Sequence, residues 1–135
     1  VKAEAMDGYY VEPIIVDNVP VESALWSEEI FGPFLAVRRF STEAEAIKLT
    51  NDSPYGLGNA ALTTDPQRAS RLSRAIRSGS VWINCNNAVP VSMPFGGFKA
   101  SGFGREMGQE GLDDYLHSKS VIQAKKHGFS WNWYC

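Results

Sequence analysis

The sequence predicts an α/β fold, a mostly parallel sheet flanked by helices, on three observations. Short apolar segments alternate along the chain with segments that carry helix caps. One of them, FLAVRRF at residues 34–40, is apolar on both alternations until its end, as suits a buried parallel strand. Finally, 135 residues with 44% apolar and 21% charged side chains suit one globular domain or part of one, and too little chain for two.

The elements follow in order. GYYVEPIIVD, residues 8–17, is rich in β-branched and aromatic residues but contains Pro13, which removes a ladder donor, so an extended edge segment is expected. VESALWSEEIF, residues 21–31, predicts a helical turn or two that Gly32-Pro33 stops. After the 34–40 strand, Thr42 and Glu45 have the spacing of a capping box, predicting a helix to about Asn51. A second strand is expected at 59–63. Asp65 then caps a helix with Pro66 in its first turn, and Gly79 is expected to supply a left-handed exit. Ala69, Leu72, Ala75 and Ile76 share one face of that helix, leaving Arg68, Arg71 and Arg74 to solvent. SVWINC, residues 80–85, reads as a third strand. A long glycine-rich loop follows over 86–104, then a short helix over 109–117 and a final strand over 118–124.

Composition excludes several functions. Thirteen basic against 15 acidic side chains leave a formal charge of −2, so nucleic acid is not an expected partner. Two cysteines, Cys85 and Cys135, make neither a disulfide framework nor a CxxC-type zinc pattern, and a reducing, cytoplasmic setting is the default. No stretch approaches the ~20 consecutive apolar residues of a membrane span. The first residue is Val1, and VKAEAMDG reads as the interior of a longer chain.

Most chemical motifs fail on spacing. Gly97 to Gly102 has P-loop spacing, but Phe103-Gly104 stand where Lys-Ser/Thr should grip phosphate. Gly102, Gly104 and Gly108 miss the dinucleotide fingerprint by one residue and follow a loop. His117 and His127 are the only imidazoles, without an HExxH, so no metal site is expected. Cys85 ends an apolar strand with no histidine nearby in sequence, which favours a packing role over a nucleophilic one. Asn51-Asp52-Ser53 matches a glycosylation acceptor without secretory context.

Two segments remain, residues 28–33 and 93–99. In the first, an ionised Glu29 two residues before Phe31 has the chemistry to accept hydrogen bonds from a diol while the ring covers a flat face. The alternative leaves Glu28 and Glu29 solvated and Phe31 in the core.

EEIFGP at 28–33, YGL at 55–57, SGSVWIN at 78–84, PFGGFKASGFGRE at 94–106 and GLDDYLHSKSV at 111–121 together resemble, in order and spacing, the carboxy-terminal part of the NAD(P)-dependent aldehyde dehydrogenase family. The resemblance covers roughly residues 8–124. It implies that 1–117 form the carboxy-terminal part of the catalytic domain, that 118–124 form an oligomerisation strand, and that 125–135 are an atypical tail. In that family a cysteine thiolate attacks the aldehyde, an asparagine and a backbone donor hold the oxyanion, hydride passes to the nicotinamide, and a glutamate activates water. The nucleophile lies in an upstream Gly-Gln-x-Cys context that neither Cys85 nor Cys135 matches, so this chain alone is expected to be inactive.

The resemblance assigns roles residue by residue. Glu29 matches the glutamate that binds the nicotinamide ribose hydroxyls, and Phe31 the aromatic beside the nicotinamide of NAD or NADP. Phe95 matches a wall of the aldehyde tunnel, and Val89 a variable wall position, which places substrate preference in 86–93. Glu106 matches a glutamate proposed to relay protons, although a helix-start carboxylate held by the dipole is the favoured reading. Phe95 stands where the aminoaldehyde and betaine-aldehyde oxidising branch often has Trp, leaving a broader class of aldehydes open. The implied partners are an aldehyde substrate, the upstream portion of the enzyme and further copies in a dimer or tetramer. A non-catalytic interaction or structural module of the same fold is the alternative reading.

Overall fold

The computed structural model describes residues 8–123. Its order is β1 (Ile14–Asp17), α1 (Ala24–Ser27), β2 (Phe34–Val37), α2 (Glu43–Asn51), β3 (Gly58–Ala61), α3 (Pro66–Ala75), β4 (Ser80–Ile83) and α4 (Glu110–Asp113), with a 3-10 turn at Lys99–Ser101 before α4. Both strand pairings are parallel: β1 with β2 from Ile14 opposite Phe34, and β3 with β4 from Gly58 opposite Ser80. The fold is therefore α/β with parallel pairing, as expected, but its strands form two separate two-stranded sheets.

Local chemistry explains where elements stop. Pro13 has no N–H to give, and the β1 ladder begins at the next residue, where Ile14 N donates to Pro33 O at 2.9 Å. β2 ends at Val37, and Arg38 reaches back to Val19 O at 2.7 Å. The expectation that 34–40 is buried on both faces is not met: Phe34 and Ala36 are half-buried, whereas Leu35 and Val37 are exposed. β4 stops before Asn84, whose φ of 57° takes the chain out of strand geometry. The Asn84 amide then substitutes for a ladder, accepting from Thr63 N at 2.8 Å and donating to Thr63 O at 2.9 Å, so β3 needs no residues beyond Ala61.

The helix caps form as the sequence predicts. Thr42 Oγ1 accepts from Glu45 N at 3.2 Å, and the Glu45 carboxylate accepts from Ser41 N, one residue earlier than the usual reciprocal bond. Asp65 accepts from Gln67 N at 2.8 Å, with Pro66 at the first position of α3. Ala69, Leu72 and Ala75 are half-buried and Ile76 is buried, as their shared face requires.

Three expectations are corrected here. Arg68 and Arg71 are not merely solvated; both bind Glu43 at the start of α2, at 3.0 and 2.9 Å, and so link α2 to α3. Gly79 is not a left-handed exit, because α3 already ends at Ala75 with Ile76 extended, and Gly79 has no positive φ. It serves close approach instead: a Cβ there would lie 1.6 Å from Gly96 O. Residues 118–123 of the expected oligomerisation strand are exposed and form no strand within the described residues, and pairing with another copy lies outside a single chain; Ala124 and the tail at 125–135 lie outside the described residues. The helix expected over 109–117 is shortened to α4, followed by turn bonds from Tyr115 N and Leu116 N.

Among the described residues, Val19 and Ile76 are the buried apolar side chains, and large apolar groups such as Phe103, Leu62, Val91 and Ile122 are exposed. The same residues contain no helix long and apolar enough to cross a membrane.

Candidate functional site

Three of the sequence motifs converge on Gly56. Its carbonyl accepts from Gly79 N at 3.0 Å and from Phe98 N at 2.8 Å, while its N–H donates to Ser101 Oγ at 2.9 Å. A Cβ on Gly56 would sit 2.9 Å from Arg77 O and 3.1 Å from the Phe98 Cβ, so YGL, SGS and PFGGFKAS pack against one another through backbone. Lys99 locks this arrangement. It adopts a φ of 54° and its ammonium donates to Asn51 O at 2.8 Å and Ser53 O at 2.9 Å, satisfying carbonyls at the end of α2 where positive charge is favoured. Asn51 in turn donates to Ala75 O and accepts from Arg77 N, pinning the ends of α2 and α3 together.

Beside this hub, a pocket of about 540 Å³ is walled by β3, by Trp82 of β4, by Asn86, Asn87 and Val89 of the loop, and by Phe95. Val89 and Phe95, singled out separately in the sequence, therefore face one space. Phe95 is half-buried and held by a two-bond antiparallel bridge to Glu106, N to O at 2.8 Å in each direction. That bridge corrects the helix-start reading of Glu106. Met107 and Gly108, with φ of 61° and 58°, separate it from α4, whose first-turn acids are Glu110 and Asp113. The Glu106 side chain is exposed, and only its backbone is engaged with Phe95.

Glu29 follows α1 in extended chain and lines a neighbouring cleft of about 460 Å³ with Thr50, Ser53, Asn59 and Ser101. It accepts no hydrogen bond from the described residues. Phe31 is 92% exposed, so the alternative that places it in the core does not hold. Leu57, Gly58 and Asn59 line both the Glu29 cleft and the Val89–Phe95 pocket, so the two groups of site residues flank one short segment entering β3. Cys85 is exposed just beyond β4 and is not the packing residue its sequence context suggests. Among the described residues no three His, Cys, Asp or Glu side chains are grouped to hold a metal; His127 and Cys135 lie outside them.

The sequence reading missed Lys99 and Trp82 and gave Gly79 the wrong role. The available signal was a Lys inside a glycine-rich loop, a Gly too far beyond its helix, and a Trp in a strand, whose N–H demands a partner when covered.

A family model described as the aldehyde dehydrogenase family matches residues 2–121. The chain is 50% identical over 127 residues to aminoaldehyde dehydrogenase 1, peroxisomal, of Pisum sativum, covering 94% of this chain and 25% of that protein. Among solved structures, betaine aldehyde dehydrogenase from Staphylococcus aureus in complex with NAD+ superposes with a TM-score of 0.85 at 41% identity, over 95% of this chain and 25% of that one. An indole-3-acetaldehyde dehydrogenase in complex with NAD+ gives a TM-score of 0.80 at 46% identity, over 83% of this chain and 23% of the other. The chain spans about a quarter of the length of these relatives.

Proposed function

The chain belongs to the aldehyde dehydrogenase family, and on that premise we propose that it is the carboxy-terminal catalytic segment of an enzyme that oxidises an aldehyde to a carboxylic acid with NAD. The reading is carried by one observation: Val89 and Phe95 face a single pocket, and Glu29 lines the cleft on the other side of Leu57, Gly58 and Asn59.

The residues present suit the cofactor. Glu29 offers two carboxylate oxygens that accept nothing from the described residues, which matches a ribose diol with two donors, and charge-assisted bonds of this kind are the stronger ones. Phe31, projecting two residues on, offers an apolar face beside it. The chemistry supplied by bound NAD is acceptance of a hydride. Phe95 and Val89 form the wall that orients and desolvates the aldehyde, and the Glu106 backbone fixes the position of Phe95. No nucleophile is assigned to this chain; the thiolate comes from the upstream portion. Glu106 keeps an exposed carboxylate beside the Phe95 segment, as a proton relay requires. NAD is preferred to NADP because solved relatives, the indole-3-acetaldehyde and Staphylococcus aureus betaine aldehyde dehydrogenases among them, are NAD+ complexes. The substrate is left at the level of an aldehyde, since the relatives include both aminoaldehyde and indole-3-acetaldehyde dehydrogenases.

The exposed residues 118–123, which include the exposed apolar side chains Val121 and Ile122, are assigned to pairing with another copy in a dimer or tetramer. Localisation follows the parent chain; the cytoplasm is the simplest assignment, with the peroxisome of the Pisum sativum relative as the competing one.

The test is Glu29→Gln in the full enzyme. Replacing a charged acceptor by a neutral one should slow single-turnover NADH formation about tenfold and weaken NAD binding, with the aldehyde KM little changed. Unchanged single-turnover kinetics would overturn the assignment.

A further inference from the structure

Trp82 lies on β4 opposite Ala60 of β3, and its six-membered ring extends along the sheet over Gly58. Only glycine permits that position: a Cβ on Gly58 would stand 2.5 Å from Trp82 Cζ3 and 2.8 Å from Cη2. So placed, the indole N–H donates to Ala88 O at 2.8 Å. Among the described residues this is the one side-chain hydrogen bond made to the loop at 86–93. The loop's other restraints are backbone bonds, Met93 N to Pro90 O at 2.9 Å and Gly108 N to Val91 O at 3.1 Å, both on the far side of Val89 from Ala88. Asn87 has a φ of 56°, so the residue before the tether has no extended strand to stiffen it.

Resting on the function proposed above, we propose that Trp82 is a positioning residue for substrate selection: by holding the Ala88 carbonyl it fixes how far Val89 stands from Phe95 and hence the width of the aldehyde pocket. Ala88 and Val89 are adjacent, so a shift of the tethered carbonyl moves the Val89 side chain directly. The opposite wall does not yield, because Phe95 is clamped on both sides of its peptide by Glu106. Trp82, Val89 and Phe95 all line the same pocket, and Gly58 is the part of β3 that lets the indole reach the loop. Width therefore depends on a tether outside the variable loop.

The experiment uses the full enzyme with propanal and phenylacetaldehyde as narrow and wide probes, and hydrogen–deuterium exchange of residues 86–93 as a second readout. Trp82→Phe keeps an aromatic ring and removes the donor; a genetically encoded benzothienylalanine at position 82 keeps the bicyclic shape and also removes it. One ordinary hydrogen bond corresponds to about a fivefold change in an equilibrium. Both variants should raise exchange in 86–93 about fivefold, change the KM of phenylacetaldehyde relative to propanal by a similar factor, and leave the NAD KM unaltered. Gly58→Ala, which displaces the ring, should reproduce the shift in selectivity. Faster exchange with an unchanged KM ratio, or unchanged exchange in the benzothienylalanine variant, overturns the proposal. A wild-type enzyme that oxidises neither aldehyde would instead count against the proposed function, and the exchange measurement would still report on the tether.

Discussion

Gly79→Ala offers a sharp test of how the site is held together. The added Cβ would lie 1.6 Å from Gly96 O and 2.8 Å from Gly96 C. Carbonyl oxygen and methyl carbon need about 3.4 Å or more in ordinary packing, so the two backbone segments must separate by nearly 2 Å, and neither has a side chain that can rotate away. Gly56 O bridges the same segments through bonds from Gly79 N and Phe98 N, at 3.0 and 2.8 Å. Losing both costs about 2 kcal/mol net, and residual overpacking adds about 1–3 kcal/mol. The expected destabilisation is about 3–5 kcal/mol. Gly32→Ala is the matched control, because no heavy atom lies within 4 Å of its Cβ position and its φ is not left-handed; its effect should stay within about 0.5 kcal/mol. Urea unfolding of the full enzyme, followed by near-ultraviolet circular dichroism, measures both. If Gly79→Ala unfolds at the midpoint of Gly32→Ala, close approach of these segments is not what glycine provides at 79.

Two further outcomes are expected. The Arg71 hydrogen bond, opposed by desolvation and reinforced by the Arg68 hydrogen bond and the charges of both arginines, holds the Glu43 carboxyl below the usual carboxylate value of 4.5. A depressed folded pKa means that the unfolded chain binds more protons in this window, so the contribution is present above 4.5 and is lost as pH falls through the lowered folded value. Glu43→Gln should flatten the stability profile below that pH, and superimposable wild-type and variant profiles would remove the α2–α3 link from the account. Expressed alone, the chain should aggregate or melt without cooperativity, because Val19 and Ile76 are the buried apolar side chains of the described residues; a cooperative, concentration-independent transition of a monomer would contradict this.

Features readable in the sequence share a short range. Thr42 with Glu45, Asp65 with Pro66 and Gln67, and the Ala69–Ile76 face act within one helical turn or on successive turns, so spacing alone specifies them. Pro13 delays β1 for an equally local reason, the missing N–H. Readings that needed distant context failed. Gly79 resembled a helix exit until Gly96, 17 positions later, was found against it. Arg68 and Arg71 resembled a solvated face until Glu43 supplied their partner 25 and 28 residues away. Glu106 resembled a helix start until its peptide was found paired with Phe95.

The site divides along the same line. Glu29 and Phe31 were marked by residue type, Val89 and Phe95 by the family resemblance that the ordered motifs carry, and the α/β class by the alternation of apolar and helix-capped segments. Their grouping was decided by the chain path. Parallel pairing of β3 with β4 carries Trp82 over Gly58, and the glycine loop returns to Gly56, which puts Val89 and Phe95 in one pocket and Glu29 on the other side of the intervening segment. A one-dimensional pattern records the periodicities that covalent geometry imposes within a few residues. Which remote backbone groups meet is set by packing and loop closure, and for this chain those contacts hold the site in place.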